Sequence, residues 1–598
     1  MRSVTAAPPL LRDRRLWWLL GLGALLRVVV GLHQWQADPT MSALLSDSLY
    51  YRAWAEELLG RADFGAEGPG LPRWLPPLYP RVLALVGASV PAMLVLQGLL
   101  GLVTTLLVVA LGERLLAAGP HRRDAALAGG LLATLYAPVL FFEGRLLGAS
   151  LAMLLATSAL LALARWLPPA EDDAPRGPAW LVLAGGLTGL LALTRPNTLL
   201  AVPAVGLWLL VRRRRAGAGA GPGPALGPAV LFALAALLPL LPTLAHNRAA
   251  EGELVPVTAN GGVNFWFGNN PEAHGTFHAP GPEWGSIEGQ RPTSLEVASA
   301  AAGRSLTHGE ASAWWFREGL AWLAAEPVAA ARLWGLKLAD SLSSTEYGIQ
   351  YSLAATRARA PSLWLAPLPF GLLLLLAAVG WPRGGEQRPG ARGLAEAWLA
   401  AGLVSALLYF TYSRFRLPLL PALLPFAGLG LVRLVRLRVR PLAAAVGLVL
   451  LVQSFVPFEG SYPRHLASHA FRDMAAALAP DPATRAERAA LLDRALALVP
   501  GNKPAATARA LVHLEEAIEG RPGAAEAALA GLEAAVAIPV AWPDAEFQLA
   551  DFLARWPDPA LSDPARARTL VTTWLASHPA DDPARPAFEA LLGQLDGP

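Results

Sequence analysis

Residues 92–111 read AMLVLQGLLGLVTTLLVVAL, and this stretch decides the fold class because it carries no charged side chain. At about 1.5 Å per residue, a helix of this length spans the hydrocarbon core of a bilayer, which is about 30 Å thick. The whole chain has the same character: 54% of its 598 residues are hydrophobic and only 16% are charged. Such values are typical of a polytopic membrane protein and exclude an ordinary soluble domain.

Two apolar segments decide how many times the chain crosses the membrane. Residues 78–90 reach only about 20 Å as a helix, so we expect them to lie at the membrane interface. Residues 180–211 are too long for one upright helix and contain the polar sequence LTRPN, which predicts two spans joined by a turn. Eleven spans result: 16–36, 92–111, 125–142, 146–164, 180–194, 197–211, 225–244, 362–380, 394–412, 417–432 and 441–457.

Basic clusters fix the predicted orientation. With the arginines of residues 12–15 in the cytoplasm, the later clusters at 121–123, 212–215, 383–392 and 433–440 all fall on the same side, as the positive-inside rule requires. The first apolar run lacks an obvious cleavage site and is interpreted as a retained span rather than a signal peptide. The two large loops, 37–91 and 245–361, are then extracytoplasmic.

The region after the last span differs in composition. Residues 465–598 are rich in alanine, punctuated by proline and amphipathic. Helices of this length joined by Pro/Gly turns predict a stacked, tetratricopeptide-like module; a helical cap without a ligand is the alternative. We therefore predict two domains, a membrane domain at 1–458 and an extracytoplasmic helical domain at 459–598.

Composition also limits the chemistry. The chain has no cysteine, which excludes disulfides and cysteine-based metal sites. Its net charge of +4 is too small for a nucleic-acid reader. No DxD motif suggests a metal-held nucleotide, so no cofactor is expected, although a divalent ion stays open.

Ionisable residues from distant segments converge on the predicted outer surface. Charged groups at membrane depth are costly and are usually functional. Each alone has a simpler explanation: a juxtamembrane arginine can anchor headgroups, Asp47 can cap a helix, and Glu143 can pair with Arg145. Their convergence favours a shared site.

The stretches that carry these residues resemble a known superfamily. They are SDSLYYRAWAEELLG, PPLYPRVLALVG, FFEGRLL, LTRPNTLLAVPA, HNRAAEGELVPVTANGGVNFWFGNN and YSRFRLPLLP. Over about residues 15–458 the chain is similar to the GT-C membrane glycosyltransferases, particularly bacterial relatives of family 39, which includes protein O-mannosyltransferases. The aminoarabinose transferases that modify lipid A are a neighbouring family.

This resemblance implies an all-α polytopic GT-C-type fold with about 11 transmembrane helices. It implies catalytic roles for Asp47, as base or acceptor-orienting group, and for Glu143. It also implies that arginines bind the lipid phosphate of the donor: Arg195 and Arg416, with Arg414 as a rival for the second. Protein O-mannosyltransferases typically have Asp-Glu where this chain has Asp47 and Ser48, which leaves the acceptor open.

Further side chains are assigned by residue type. Lys337 is a fourth candidate for the donor phosphate. Aromatic rings stack on sugars and amides satisfy hydroxyl groups, whereas a membrane-interface anchor is the alternative role for the aromatic residues. The candidates for the sugar or acceptor are Tyr50, Tyr79, Asn247, Asn260, Asn264, Trp266, Asn269, Glu346 and Tyr347.

The predicted function is transfer of a sugar from a polyprenyl-phosphate carrier to a protein, lipid or glycan acceptor. The partners would be that donor, its acceptor and membrane lipids, and the location a bacterial inner membrane with the N-terminus in the cytoplasm. Two alternatives remain: a transporter or flippase of lipid-linked sugars, and a scaffold acting through the C-terminal repeats. A transporter would favour mid-membrane charges and repeated halves.

Overall fold

A computed structural model describes residues 9–66, 70–168, 176–216, 226–277, 284, 287–348, 351–382, 385–436, 439–455, 462–580 and 582–596. Within these ranges every regular element is helical, and two isolated β-bridges are the only ladder pairs. The all-α fold class predicted from the sequence is confirmed for this part of the chain. Arg383 and Arg438, two of the residues used for orientation, lie outside it.

The described α-helices before residue 456 vary widely in length. They are α1 (Arg14–Ala37), α2 (Asp47–Leu58), α3 (Leu78–Leu85), α4 (Val90–Leu115), α5 (Arg122–Thr134), α6 (Ala137–Glu143), α7 (Ala149–Trp166), α8 (Ala179–Ala192), α9 (Ala201–Ala216), α10 (Gly227–Leu237), α11 (Leu241–Glu251), α12 (Gly261–Gly268), α13 (Ile287–Ala302), α14 (His308–Ala325), α15 (Pro327–Leu342), α16 (Leu353–Arg359), α17 (Phe370–Gly380), α18 (Ala391–Leu408), α19 (Ser413–Arg416), α20 (Leu420–Val435) and α21 (Pro441–Ser454).

The chain divides into two compact units. The membrane unit comprises residues 1–37 and 44–458, and the C-terminal unit comprises 459–598 together with Asp38–Ala43. Asp38 precedes a short 3-10 helix, Pro39–Met41, and its Oδ1 accepts a hydrogen bond from the Thr40 hydroxyl at 2.6 Å. Six residues that directly follow the first membrane helix therefore belong to the C-terminal unit.

The apolar helices make the chain an integral membrane protein. Among the described helices, five are long and apolar enough to cross a membrane: α1, α4, α7, α18 and the helical run Gly227–Glu251, in which a 3-10 turn joins α10 to α11. Shorter apolar helices are α8, α17, α20 and α21. Leu25, Val95 and Leu99 are exposed on α1 and α4, as expected of side chains that face lipid.

The two segments that decided the span count form a short helix and a broken helix pair, as predicted, while the interfacial position of 78–90 stays a prediction. Residues 78–90 form the short helix α3 before α4 begins. Residues 180–211 form α8 and α9, separated by Leu193–Arg195 and the 3-10 helix Pro196–Leu200. Residues 125–142 are also split, into α5 and α6, a break that the hydropathy pattern did not predict.

Small residues allow three membrane helices to pack closely. A Cβ added at Gly428 of α20 would collide with the Ala125 carbonyl of α5. A Cβ added two positions later, at Gly430, would collide with the Leu376 carbonyl of α17. Because lipid gives helices no hydrophobic reason to associate, such close backbone contact is how membrane helices gain packing energy. Helix α20 is therefore held between α5 and α17.

The C-terminal unit contains seven described α-helices: α22 (Tyr462–Ala476), α23 (Pro482–Leu498), α24 (Lys503–Ile518), α25 (Ala524–Val536), α26 (Pro543–Arg555), α27 (Pro564–Ser577) and α28 (Arg585–Asp596). Each packs on the next along the chain, and α22, α24, α26 and α28 also pack on one another in that order. Leu532 and Leu553 lie in one core, and Trp574 and Phe588 in another. Such nearest-neighbour packing is typical of helical repeats; the tetratricopeptide type stays a prediction.

Candidate functional site

An ion pair joins the beginning of α2 to α19. Arg414 Nη1 donates to Asp47 Oδ2 at 2.9 Å, and each side chain is only 11% exposed. The two residues are 367 positions apart in the sequence. Burying a charge is costly unless it is paired, so the pair holds the first large loop against the segment that precedes α20.

A strained turn presents Asp47 to this arginine. Ser46 has φ 41° and ψ −118°, the backbone geometry of the first central residue of a type II′ β-turn, where glycine is usual. The Ser48 amide donates to the Leu45 carbonyl at 3.0 Å and closes the turn. A non-glycine residue in such a conformation costs about 1–3 kcal/mol and persists only where its surroundings fix it. The fold therefore holds Asp47 in a geometry that its local sequence disfavours.

A second guanidinium group lies beside the ion pair. The guanidinium carbons of Arg195 and Arg414 are 5.2 and 5.9 Å from the centre of the same ring, that of Phe415. Burial, followed by the charge of Arg414, lowers the pKa of Arg195 to about 9, so this side chain is still protonated at neutral pH. Arg195 Nε is buried and has no hydrogen-bond partner among the described residues. An anion bound here would relieve both penalties.

The charges of this cluster sum to a small positive value. Asp47, Arg195 and Arg414 together carry +1 when the carboxyl group is ionised. Tyr51 adds none, because burial and then the charge of Asp47 raise the pKa of its hydroxyl well above the ordinary value. Among the described residues, no three His, Asp or Glu side chains gather into a group that could hold a metal ion. We call Asp47, Arg195, Arg414 and Phe415 the Asp–Arg cluster.

An apolar cavity of about 350 Å³ adjoins the cluster. Its walls include Phe415, whose ring both arginines share, and Tyr412, whose ring centre is 5.8 Å from the guanidinium carbon of Arg414. Asn197 also lines the cavity and donates to the Ser405 hydroxyl at 2.7 Å. Space for a hydrocarbon and a place for an anion therefore share the same aromatic residues. Arg416 also lines the cavity, and the other lining residues are largely aliphatic, among them Leu338, Leu374, Leu419 and Leu423.

The two arginines of the YSRFRLP stretch have different surroundings. Arg416 donates from Nη1 to the Ser343 carbonyl and from Nη2 to the Asp340 carbonyl, both at 2.7 Å. Its Nη1 is also 3.9 Å from a Glu346 oxygen. Arg416 is thus occupied in holding the backbone of the second large loop, whereas Arg414 reaches Asp47. A phosphate role for Arg416 stays a prediction.

Lys337 has neutral partners. Its Nζ donates to Asn269 Oδ1 at 3.0 Å and to the Leu407 carbonyl at 2.8 Å. The side chain is fully buried, and burial lowers the pKa of Lys337 to about 7. These bonds tie α15 to the residue after α12 and to the end of α18, and the ligand-binding roles of Lys337 and Asn269 stay predictions.

Glu143 belongs to a separate ion pair. Arg27 Nη2 donates to Glu143 Oε1 at 2.8 Å, and both side chains are 7% exposed. The sequence suggested Arg145 as the alternative partner of Glu143, but the partner is on α1. Nearby, Gln97 accepts from the Tyr79 hydroxyl at 2.9 Å and donates to the Glu143 carbonyl at 2.8 Å. Glu143 and Tyr79 therefore lie in a network that connects α1, α3, α4 and α6.

The asparagine candidates for sugar binding mostly form hydrogen bonds within the protein. Asn247 Oδ1 accepts from the Arg73 amide at 2.8 Å, and Asn260 Oδ1 accepts from the Thr258 hydroxyl at 2.8 Å. Asn264 is half-buried on α12. Trp266, on the same helix, packs its ring 4.6 Å from that of Trp315. These contacts describe packing within the first and second large loops, and the sugar-binding roles of these residues stay predictions.

The remaining candidates either neighbour Asp47 in the sequence or contact the segment that leads to Arg414. Tyr50 follows Asp47 on α2 and packs its ring 4.7 Å from that of Phe64. Glu346 accepts from the Tyr136 hydroxyl at 3.0 Å. The Tyr347 carbonyl accepts from the Ser413 amide at 2.9 Å, directly before Arg414. Residues 346–347 thus support the segment that carries the paired arginine.

Two members of this region were missed in the sequence. Tyr51 is four residues after Asp47 and therefore on the same face of α2, a spacing that could have identified it. Phe415 separates the two arginines of the YSRFRLP stretch, and its role as a shared platform depends on Arg195, 220 positions earlier. The local sequence around Phe415 does not predict its contact with Arg195.

Comparison with known proteins gives likenesses only at the level of chain shape. No family model and no curated protein matches the sequence. ArnT from Cupriavidus metallidurans bound to undecaprenyl phosphate aligns at 14% identity and a TM-score of 0.40, over 96% of this chain and 84% of that one. The Archaeoglobus fulgidus oligosaccharyltransferase AglB, in complex with an inhibitory peptide and a dolichol-phosphate, aligns at 14% identity and a TM-score of 0.38, over 79% of this chain.

The chain spans 59% of the length of that archaeal oligosaccharyltransferase. Likenesses at these TM-scores assign neither a family nor an activity.

Proposed function

We propose that this protein is a membrane glycosyltransferase that moves a sugar from a polyprenyl-phosphate carrier to an acceptor on the extracytoplasmic face. The observation that carries the proposal is the Asp–Arg cluster beside an apolar cavity of about 350 Å³. A polyprenyl-phosphate sugar needs both features, a hydrocarbon space and cations at the phosphate.

The prenyl chain and the phosphate of the donor would both bind next to Phe415, which lines the cavity and contacts the two arginines. The cavity takes part of the prenyl chain, and its aromatic and aliphatic walls suit hydrocarbon. Arg195 and Arg414 meet the phosphate, since guanidinium groups can grip two phosphate oxygens and stay charged. A phosphodiester that links a sugar to a prenyl chain carries one negative charge, which balances the +1 of the cluster.

Asp47 would act as the base. The acceptor hydroxyl transfers its proton to the Asp47 carboxylate while its oxygen attacks C1 of the sugar, and the bond between C1 and the phosphate oxygen breaks. Polyprenyl phosphate leaves with one more negative charge than the donor had. Protonation of Asp47 raises the cluster from +1 to +2 in the same step. The cluster therefore matches the products better than the substrates, which is the condition for lowering the barrier.

The orientation rests on the basic loops. With the arginines of residues 12–15 in the cytoplasm, loops 37–91 and 245–361 and the C-terminal unit lie outside. Asp47 then faces the side on which acceptors of an exported, lipid-linked sugar are found. We propose that the C-terminal helices contact the acceptor or an assembly partner.

The proposal is tested with the full chain in lipid vesicles. Synthetic polyprenyl-phosphate sugars serve as donors, cell-envelope extract as the source of acceptors, and release of polyprenyl phosphate is measured. Asp47→Asn should lower the release rate by about 10²–10⁴-fold, the usual contribution of a general base. Asp63→Asn, at an exposed aspartate of the same loop, is the matched control and should match the parent.

Other outcomes would separate the alternatives. Binding of polyprenyl phosphate without release from any sugar donor would favour a transporter. A parental rate in Asp47→Asn would exclude Asp47 as the base. Neither binding nor release would favour a scaffold that acts through its C-terminal repeats.

A further inference from the structure

We propose that Tyr351 is a positioning residue that holds the turn at residues 45–48 and so aims Asp47. The inference deepens the proposed function and rests on it, because it concerns the efficiency of the base in sugar transfer. Tyr351 comes from the second large loop, more than 300 residues from the turn, and is 5% exposed.

The Tyr351 hydroxyl contacts both ends of the turn. It donates to Ser48 Oγ at 3.0 Å and accepts from the Leu45 amide at 3.4 Å. A phenolic hydroxyl can do both at once, because it has one donor and free acceptor positions. The first and last residues of the turn are therefore connected through one side chain, and Ser46 and Asp47 lie between them.

The ring that carries this hydroxyl is itself fixed. The guanidinium carbon of Arg145 is 4.6 Å from the centre of the Tyr351 ring and 5.0 Å from that of Phe141. Arg145 Nη2 donates to Thr356 Oγ1 at 2.8 Å, and the side chain is 2% exposed. Arg145 thus holds Tyr351 from the turn after α6, which gives a structural role to the arginine of the FFEGRLL stretch.

The strained backbone explains why such a clamp is needed. Ser46 has a positive φ of 41°, and a serine left to itself prefers negative φ. Relaxation of Ser46 would rotate the next residue, Asp47, relative to Arg414. Catalysis is sensitive to such changes, since a displacement of about 1 Å can lower a rate by about 10²-fold. The hydroxyl of Tyr351 is in the right place to prevent this relaxation.

Tyr351→Phe tests the proposal because it removes the hydroxyl and keeps the ring against Arg145. With the full chain in vesicles, we expect kcat for release of polyprenyl phosphate to fall by about 10–10²-fold, with unchanged affinity for added undecaprenyl phosphate. Tyr409→Phe is the matched control, because the hydroxyl of this half-buried tyrosine makes no hydrogen bond among the described residues, and it should keep the parental kcat.

A second substitution distinguishes positioning from general damage. Glycine adopts positive φ without strain, so Ser46→Gly added to Tyr351→Phe should restore most of the lost kcat. Ser48→Ala removes the other partner of the hydroxyl and should cause a loss that does not add to that of Tyr351→Phe. Ser48→Ala also tests the clamp if the tyrosine variant fails to fold.

The results separate this inference from the proposed function. A parental kcat in both Tyr351→Phe and Ser48→Ala would overturn the clamp, as would a loss that Ser46→Gly leaves unchanged. Equal release by the parent and Asp47→Asn would overturn the base role of Asp47 and, with it, the clamp. A slow Asp47→Asn with a parental kcat in both clamp variants would overturn the clamp alone.

Discussion

Two buried ion pairs with almost the same geometry have different surroundings. Asp47–Arg414 and Glu143–Arg27 are joined at 2.9 and 2.8 Å, and all four side chains are at most 11% exposed. The second pair is enclosed: a space of only about 10 Å³ adjoins it, and a Cβ at Gly101 would collide with the Glu143 carboxylate. The first pair has a further cation, Arg195, and an adjoining cavity of about 350 Å³.

The difference shows that an ion pair alone does not indicate a site. An uncompensated charge beside an open cavity is a better sign of a ligand site, because an anionic ligand needs both a cation that lacks a partner and space to bind. Glu143–Arg27 is neutral and closed, which is the expected condition of a pair that connects membrane helices. We therefore propose donor chemistry for the Asp–Arg cluster, while the catalytic role that the family resemblance implies for Glu143 stays a prediction.

Breaking the enclosed pair should have the largest effect on stability. Glu143→Leu leaves the Arg27 guanidinium buried without its partner, which should lower the free energy of unfolding by about 3–5 kcal/mol. The double variant Arg27→Met with Glu143→Leu should recover most of this loss, since hydrophobic replacement of a whole buried pair is often tolerated. Thermal unfolding in detergent measures both. A double variant as unstable as Glu143→Leu would contradict a purely structural pair.

Removing the surplus cation should affect binding instead. Arg195→Ala removes a positive charge that is repelled by Arg414, so the unliganded protein should be at least as stable as the parent. Its affinity for undecaprenyl phosphate should fall by about 10–10²-fold, the equivalent of one charged hydrogen bond of about 1.5–3 kcal/mol. Ligand-induced shifts of the unfolding temperature measure this. Arg213→Ala, in the basic run that ends α9, is the control, and a parental affinity in Arg195→Ala would remove Arg195 from the site.

Lys337 supplies a third case, a buried charge with neutral partners. Its pKa of about 7 is below that of a free lysine, so between about pH 7 and 10.5 the unfolded chain holds a proton that the folded chain lacks. Stability from this group should therefore rise with pH through that window and be independent of pH below it. Lys337→Met should flatten the rise. Identical pH slopes of the unfolding temperature for parent and variant would contradict the assignment.

The sequence predicted the kinds of element better than their contacts. Hydropathy predicted the long apolar helices and the break at Arg195, because both depend on local composition. The II′ turn was not predicted, since a serine at position 46 gives no sign of a positive φ, and the Tyr351 hydroxyl that joins the two ends of the turn comes from more than 300 residues away. Likewise, the two arginines of YSRFRLP look equivalent in the sequence. In the structure, Arg416 donates to backbone carbonyl groups of residues 340–345, whereas Arg414 donates to Asp47.

Long-range pairing limited the prediction of the site most. Asp47 and both arginines of the cluster were candidates from the sequence, but Arg416 was placed ahead of Arg414, and Lys337 was a fourth candidate for the donor phosphate. The sequence predicted either a catalytic role for Glu143 or an ion pair with Arg145, but the ion-pair partner in the structure is Arg27, 116 positions earlier. Which cation remains in surplus is a property of the whole charge set, so it cannot be inferred from any single stretch.

The membership of Asp38–Ala43 in the C-terminal unit has a practical consequence for dissecting the protein. A fragment beginning at residue 459 would lack six residues of its own fold, including the buried Met41. The complementary truncation would leave those residues without their unit, only four positions before Asp47. Lost activity after such a cut would therefore not show that the helices recruit an acceptor. A cleaner dissection would co-express the fragment with the intact first loop or fuse a copy of 38–43 to it.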